Sequence, residues 1–295
     1  MGFTKELIIG VILLAVAFIG IVVPPAYMYS KHSINVVSKL ALMSNYLKLL
    51  NLSRWGSVEV IHSEEHVIKE PIKIGVLVSG GALIINDSSV SNLLKIKVLK
   101  PEGNVPFITS TPKYTVRFGG DVLKAEVRGG ALVVSVPKGM LKTLYIKVDG
   151  GATKVEATQP NITNLMIYIN GGASNILIKE LSNTSASITV SGGLLSLKLY
   201  LSSLVDKALT KVSTTISGGL ANIEVYSLGY KLKLMSRVSG GLAEFSIDSK
   251  KLYAFGSRES TYIDEGYSKA PRKLIISANV NGGLATIKVM RGEDH

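Results

Sequence analysis

The residues with the best claim to chemistry are two of the four histidines, which stand in His62-Ser-Glu-Glu65-His66. The spacing H-x-x-E-H holds zinc when both imidazoles share one helical face and the glutamate serves as base. Here Val58-Glu-Val60 precedes the motif and Val67-Ile-Lys-Glu-Pro71 follows it, and both read as strand or loop. An exposed polar turn is therefore expected, and zinc is not. His32 and His295 stand alone. The chain has no cysteine, which excludes disulfides, thiolate catalysis, zinc-thiolate sites and a lipidated cysteine. No catalytic, metal or cofactor residue is assigned.

Carboxylates are the next candidates. Asp121, Glu126, Asp149, Glu156, Glu224 and Glu244 fall in alternating, strand-like text. Glycan-cleaving enzymes use two carboxylates facing one bond. Glu224 and Glu244 occupy similar positions in what read as neighbouring repeats, so a solvated face is the expectation and a polysaccharide-active enzyme a distant alternative. Tyr200 and Tyr226 each lie eight residues past the first Gly of a Gly-Gly pair, which predicts an outward tyrosine ladder rather than a sugar-stacking platform.

The elements that must carry these residues are set by repetition. Gly-Gly pairs stand at Gly80-Gly81, Gly129-Gly130, Gly150-Gly151, Gly171-Gly172, Gly192-Gly193, Gly218-Gly219, Gly240-Gly241 and Gly282-Gly283, with a further pair at Gly119-Gly120. From Gly129 the step is close to 21 residues, and the last, doubled step implies a degenerate corner near Gly256 and Ser257. Each pair is flanked by alternating runs, such as Leu165-Ile167-Ile169 before and Ser174-Ile176-Ile178 after. Alternation gives one inward and one outward face. The phase slips by one residue across each pair, as a positive-φ bend would require, and glycine takes that conformation without a Cβ penalty.

The fold class expected is all-β: a parallel β-solenoid of about 21-residue coils with Gly-Gly corners. Between Val58 and Val289 there is room for roughly eleven coils, about 50 Å at 4.8 Å per coil. The residue before each pair is Ser79, Arg128, Asp149, Asn170, Ser191, Ser217, Ser239 or Asn281, mostly small and polar, and reads as turn chemistry. A calcium-binding nonapeptide roll would need aspartate after the glycines, where this chain has Ala or Leu. Leu201–Val212 reads as a short helical insertion. The polar tail 291–295 offers little to cover the C-terminal end, which is left open for docking.

Repeated short strands with V-x-G-G corners behind an apolar N-terminal segment resemble the putative-adhesin (toast-rack-like) β-solenoid domains of bacteria and archaea. The resemblance covers roughly residues 58–290. The Gly-Asp-Val form usual in the bacterial pattern occurs once, at Gly120-Asp121-Val122. The resemblance implies a cell-envelope role and brings no catalytic residue with it.

Leu7–Val23 is a seventeen-residue run without charge, followed by Pro24-Pro25 and by Tyr27 and Tyr29. Through Tyr29 it reaches the ~20 residues that span a bilayer, with aromatics at the interface. It is longer than a signal-peptide core and lacks a small-residue cleavage pattern. A single-pass anchor over 1–30 is expected, with the bilayer as partner of residues 7–29. An amphipathic helix within 31–56 follows, with Val36, Leu40, Met43, Leu47 and Leu50 on one stripe. It caps the first coil or, through residues 33–52, oligomerises the chain. The solenoid occupies 57–290.

Lysine placement slightly disfavours an outside C-terminus, whereas the fold and four sequons, at Asn51, Asn86, Asn161 and Asn183, favour one. The extracellular face of a cell membrane is the location expected. The net charge of +12 comes from lysines spread one or two per strand. That pattern fits a solvated face, anionic headgroups or acidic envelope glycans, and not nucleic acid. Plentiful Lys, Ile and Val with a single glutamine, Gln159, resembles the usage of proteins from hot environments. The functional expectation is a non-catalytic surface scaffold or adhesin-like module, with envelope glycans or other surface proteins as its partners. The alternative is a pilin-like filament subunit.

Overall fold

The alternating apolar runs on either side of each Gly-Gly pair fold as strands in the computed structural model, which describes residues 58–101, 112–248, 250–255 and 258–292. In chain order the strands are β1 (Val58–Val67), β2 (Ile72–Ser79), β3 (Gly81–Asp87), β4 (Leu93–Pro101), β5 (Lys113–Gly119), β6 (Val122–Arg128) and β7 (Ala131–Val136). They continue with β8 (Leu141–Val148), β9 (Gly151–Thr158), β10 (Asn164–Ile169), β11 (Ala173–Leu181), β12 (Ser185–Leu201) and β13 (Ala208–Tyr226). The last six are β14 (Lys231–Val238), β15 (Leu242–Ile247), β16 (Lys250–Phe255), β17 (Arg258–Ile263), β18 (Arg272–Val280) and β19 (Leu284–Met290). The fold is all-β; among the described residues the only helical turn is a 3-10 turn at Tyr267–Lys269.

Arms before the corners form one ladder, arms after them a second, and β12 and β13 run through their corners into both. In the middle of each ladder the pairing is parallel and follows chain order. Leu144 lies beside Leu165, Leu165 beside Ala186, and Ala186 beside Val212. The long step at the end comes from the loop 202–207. The expected helix over Leu201–Val212 is therefore absent: Ala208, Thr210 and Val212 alternate inward as the start of β13, which pairs with β12 and β18. Period 2, backed by neighbours on both sides, overrides a helical stripe of only three turns.

Inward residues from both ladders meet in one aliphatic core that includes Ile74, Leu144, Ile167, Ile188, Leu197, Ile223, Leu232 and Ile276, each 1% exposed or less. Among the described residues aromatic bulk is nearly absent from it; Phe245 and Tyr230 are the buried exceptions there.

At both ends the stacking leaves chain order. The first corner repeat, β2–β3, lies between β6–β7 on one side and β8–β9 on the other. The last, β18–β19, lies between β13 and β14–β15. Beyond them the chain runs in reverse. β5 and β4 pair antiparallel with β6 and β7, and β1 adds to β4. At the other end β17 and β16 pair antiparallel with β14 and β15. Eight corner repeats, rather than eleven coils in sequence, thus account for the parallel part of the described chain. Gly119-Gly120 is the hairpin turn between β5 and β6, not a corner. The stretch read as a degenerate repeat near Gly256 belongs to the reversed strands β16 and β17, and Gly256 and Ser257 lie outside the described residues. The last strand does not sit at an open tip either: β14–β17 lie outside β18–β19.

The corners work through close backbone approach. At Gly193 (φ +77°) a Cβ would stand 2.5 Å from the carbonyl oxygen of Gly172 in the next repeat, and at Gly283 (φ +76°) 2.6 Å from that of Gly219. No side chain fits there, so adjacent repeats pack backbone on backbone.

All described residues fall in one unit, Met43–His295. The expected membrane segment, the amphipathic helix and Asn51 lie outside them. Among the described residues no helix is long and apolar enough to cross a membrane.

Candidate functional site

His62, Glu64 and His66 alternate along β1, so all three project from the same side, opposite the buried Leu94, Ile96 and Val98 of β4. His66 Nε2 is hydrogen-bonded to Glu64 Oε2 at 2.9 Å, and His62 Nε2 lies 2.9 Å from Oε1, close but poorly aligned. The imidazoles pack on β5, His62 at 5.4 Å from the Tyr114 ring and His66 at 4.5 Å from that of Phe118. The hydrogen bond from His66 outweighs burial and holds the Glu64 carboxyl below its ordinary range. These residues form the last, half-buried layer of the core, not the exposed polar turn expected. Glu65, which the zinc motif requires as base, points the other way and pairs with Lys95 at 2.9 Å. Among the described residues no group of His, Asp and Glu has the geometry to hold a metal ion.

The carboxylates are engaged. On the ladder of pre-corner arms Asp121 pairs with Lys73 at 2.8 Å, Glu126 with Arg128 at 2.8 Å and Asp149 with Lys147 at 2.9 Å. On the other ladder Glu156 lies 3.5 Å from Lys154 and Glu244 3.3 Å from Lys251. Glu224 sits between Lys198 at 3.0 Å and Lys288 at 3.7 Å, and accepts from Asn222 and Tyr226. Burial would raise its pKa, but these donors and cations outweigh it, and the carboxyl titrates below its ordinary range. Glu224 and Glu244 are not in adjacent repeats, because β19 runs between β13 and β15. The late insertion of β18–β19 is the reason, and no carboxylate pair faces a shared cleft there.

Tyr200 and Tyr226 stack on each other, ring centroids 4.1 Å apart and 3° from parallel. Each covers one face of the other, as the rungs of a ladder do. Tyr145 and Tyr168 make a looser contact at 5.5 Å and 42°. The pre-corner residues bond between repeats in places: Asn170 donates to Asp149 at 3.4 Å and Ser239 to Asn281 at 2.5 Å. Of the sequon asparagines, Asn161 donates to the Gly139 carbonyl, Asn183 accepts from the Leu209 amide, and the exposed Asn86 accepts from Ser135.

Two structural groups escape sequence reasoning. Arg291 bonds Asp248 through its side chain (2.6 and 2.9 Å) and its backbone amide (2.9 Å), and Asp264 at 2.8 Å. Asp264 is buried, which alone would raise its pKa. The Leu232 amide, the Tyr262 hydroxyl and Arg291 reverse the effect and hold it below its ordinary range. This clamp ties the end of β19 to β14 and β15. Gln159 is fully buried, accepting from the Leu141 amide and donating to Pro137 and Asp87.

No protein-family model matches the chain, and no curated protein matches it by sequence. Among solved structures it is similar to a putative cell adhesion protein from Clostridium sporogenes, at 11% identity over 77% of this chain and 99% of that one, with a TM-score of 0.39. A putative adhesin from Bacteroides fragilis gives 14% identity, 79% and 97% coverage and a TM-score of 0.38. One from Parabacteroides distasonis gives 9% identity, the same coverage and 0.35. Scores below 0.5 do not define a shared fold.

Proposed function

We propose that the two ladders are the faces of a β-solenoid, and that the chain is a non-catalytic, adhesin-like binding module of the cell envelope, anchored by residues 7–29. The observation that carries this reading is the register. Side chains at equivalent positions line up in continuous outward columns across the repeats, as in Ser187, Ser213 and Ser277. An in-register face presents chemistry to an extended partner, whereas the candidate carboxylates are paired with neighbouring lysines and, at Glu126, with Arg128. The apolar N-terminal run supports attachment to a bilayer.

Protease treatment of intact cells tests this. Cleavage of the repeat region in intact cells, with an N-terminal fragment left in the membrane fraction, is the outcome expected. Protection in intact cells with cleavage only after lysis would place the repeats on the other side and overturn it.

A further inference from the structure

Over β12, β13, β18 and β14 the ladder of pre-corner arms has no carboxylate: residues 185–191, 208–217, 231–238 and 272–280 contain Lys211, Lys231, Lys233, Arg237, Arg272 and Lys273, and neither Asp nor Glu. Strand register brings four of these cations together. Lys231 stands beside Lys273, and Lys211 and Lys233 flank Ile275. Lys211 and Lys233 are thus two strands apart, about 10 Å. Among the described residues Lys211, Lys231 and Lys233 form no ion pair. Arg272 and Lys273 are held by backbone carbonyls, those of Ser203 and Ser268, which leave their charge uncancelled. Arg237 alone is paired, with Glu259 of the reversed strand β17, in a contact exposed on both sides. Asp206 and Glu265, in nearby loops, pair with none of them.

Beside the lysines two outward columns carry short donors and acceptors over β12, β13 and β18, and end at Met235 and Arg237 of β14. Ser187, Ser213 and Ser277 form one row, and Thr189, Thr215 and Asn279 the next. Both rows run along the stack, across the strands, at about 4.8 Å per step.

We propose that this face binds a linear acidic polysaccharide laid along the stack, its carboxylate or sulfate groups against Lys211, Lys231 and Lys233 and its hydroxyls against the Ser/Thr/Asn rows. The assignment deepens the binding-module reading and rests on it. Two features select this partner. Uncancelled, aligned cations attract a polyanion. The adjoining rows are hydroxyl and amide groups, which find partners in sugar hydroxyls; a lipid surface would engage the lysines and leave those rows idle.

The test uses the full chain purified in detergent, with dextran sulfate and polygalacturonate as probes and neutral dextran as control. Both acidic polymers bind, neutral dextran does not, and binding weakens as salt rises. The variant K211S/K231S/K233S weakens binding by about tenfold or more, as loss of three aligned rim charges should. The variant K73S/K147S, on the paired half of the same ladder, leaves it within about twofold, because those cations are already spent on Asp121 and Asp149. Circular dichroism of both variants matches the parent, since the residues are surface lysines. If neither polymer binds, or if the triple variant binds like the parent, the face is wrong while the cell-surface assignment stands on its protease test. If single-stranded DNA or vesicles containing phosphatidylserine bind more tightly than both polymers, a glycan is the wrong partner.

Discussion

The two halves of the pre-corner ladder share one backbone plan and differ in how their charges are settled. In the half built from β2, β6 and β8, three of the five cations, Lys73, Arg128 and Lys147, have a carboxylate within 2.9 Å. In the half built from β12, β13, β18 and β14 the cations have none on the ladder itself. Corners, core and register are the same in kind, so the fold does not demand either pattern. The difference teaches that outward columns are free to vary, and that a surface field can be built on part of a repeat array without cost to the core.

The sharpest way to break the array at the junction of these halves is through a corner. Gly193→Ala sets a Cβ 2.5 Å from the Gly172 carbonyl and should destabilise the protein by about 3 kcal/mol or more. Gly240→Ala has a similar φ of +83° with no atom within 4 Å, and should cost only about 1 kcal/mol for the left-handed backbone. Denaturant unfolding of the two variants separates close approach from conformation. Equal losses would show that backbone contact between repeats contributes little.

The next effect is at the C-terminal clamp. Arg291→Ala removes a charged donor from the buried Asp264 and frees Asp248, and should lower stability by about 2 kcal/mol. Limited proteolysis should then cut β18–β19 before the paired half. Cleavage beginning in β2 or β8 would contradict this.

Acid should act in the same place. Asp264 has a folded pKa below its unfolded value of about 3.9, so the stability it supplies is complete above that value and is lost as pH falls through the folded one. Melting temperature should drop below about pH 4, and Asp264→Asn should flatten that slope. Glu64 has the same sign at the opposite end and, being only half-buried, a smaller part. An unchanged slope in the Asn variant would remove Asp264 from the account.

The smallest effect on stability sharpens the comparison most directly. Asp121→Ser with Glu126→Ser and Asp149→Ser strips the carboxylates from the paired half. Its melting curve should hardly move, because exposed pairs contribute little. Retention on a sulfated matrix should rise if uncancelled charge is what distinguishes the two faces. Unchanged retention would mean that the Ser/Thr rows, not the lysines, set the difference.

Much of the fold was legible. Between Gly150 and Gly219 the repeats stack in the order they are written, so spacing, alternation and pairing carry the same information. The ends were not legible, because repeats of one pattern offer equivalent edges and nothing local says which edge Ile74 or Ile276 will meet. Ile74 pairs with Leu123 on one side and Leu144 on the other. The candidate site was half legible. Tyr200 and Tyr226 stack as their spacing requires, whereas the H-x-x-E-H frame drew attention to Glu65. The period-2 frame, H-x-E-x-H, selects Glu64, the residue that touches both imidazoles. Arg291 gave no signal, since its partners Asp248 and Asp264 are joined to it only through the displaced last repeat.

That displacement has a consequence for how such a chain can lengthen. A duplicated repeat added after Met290 or before Ile72 would find its slot already filled, with a neighbour on each side and a reversed strand beyond. A unit duplicated within 141–226 would slide into the ordered middle and leave both closures intact. The register thus gives a whole added repeat a place in the interior, and makes each end a fixed terminal cassette.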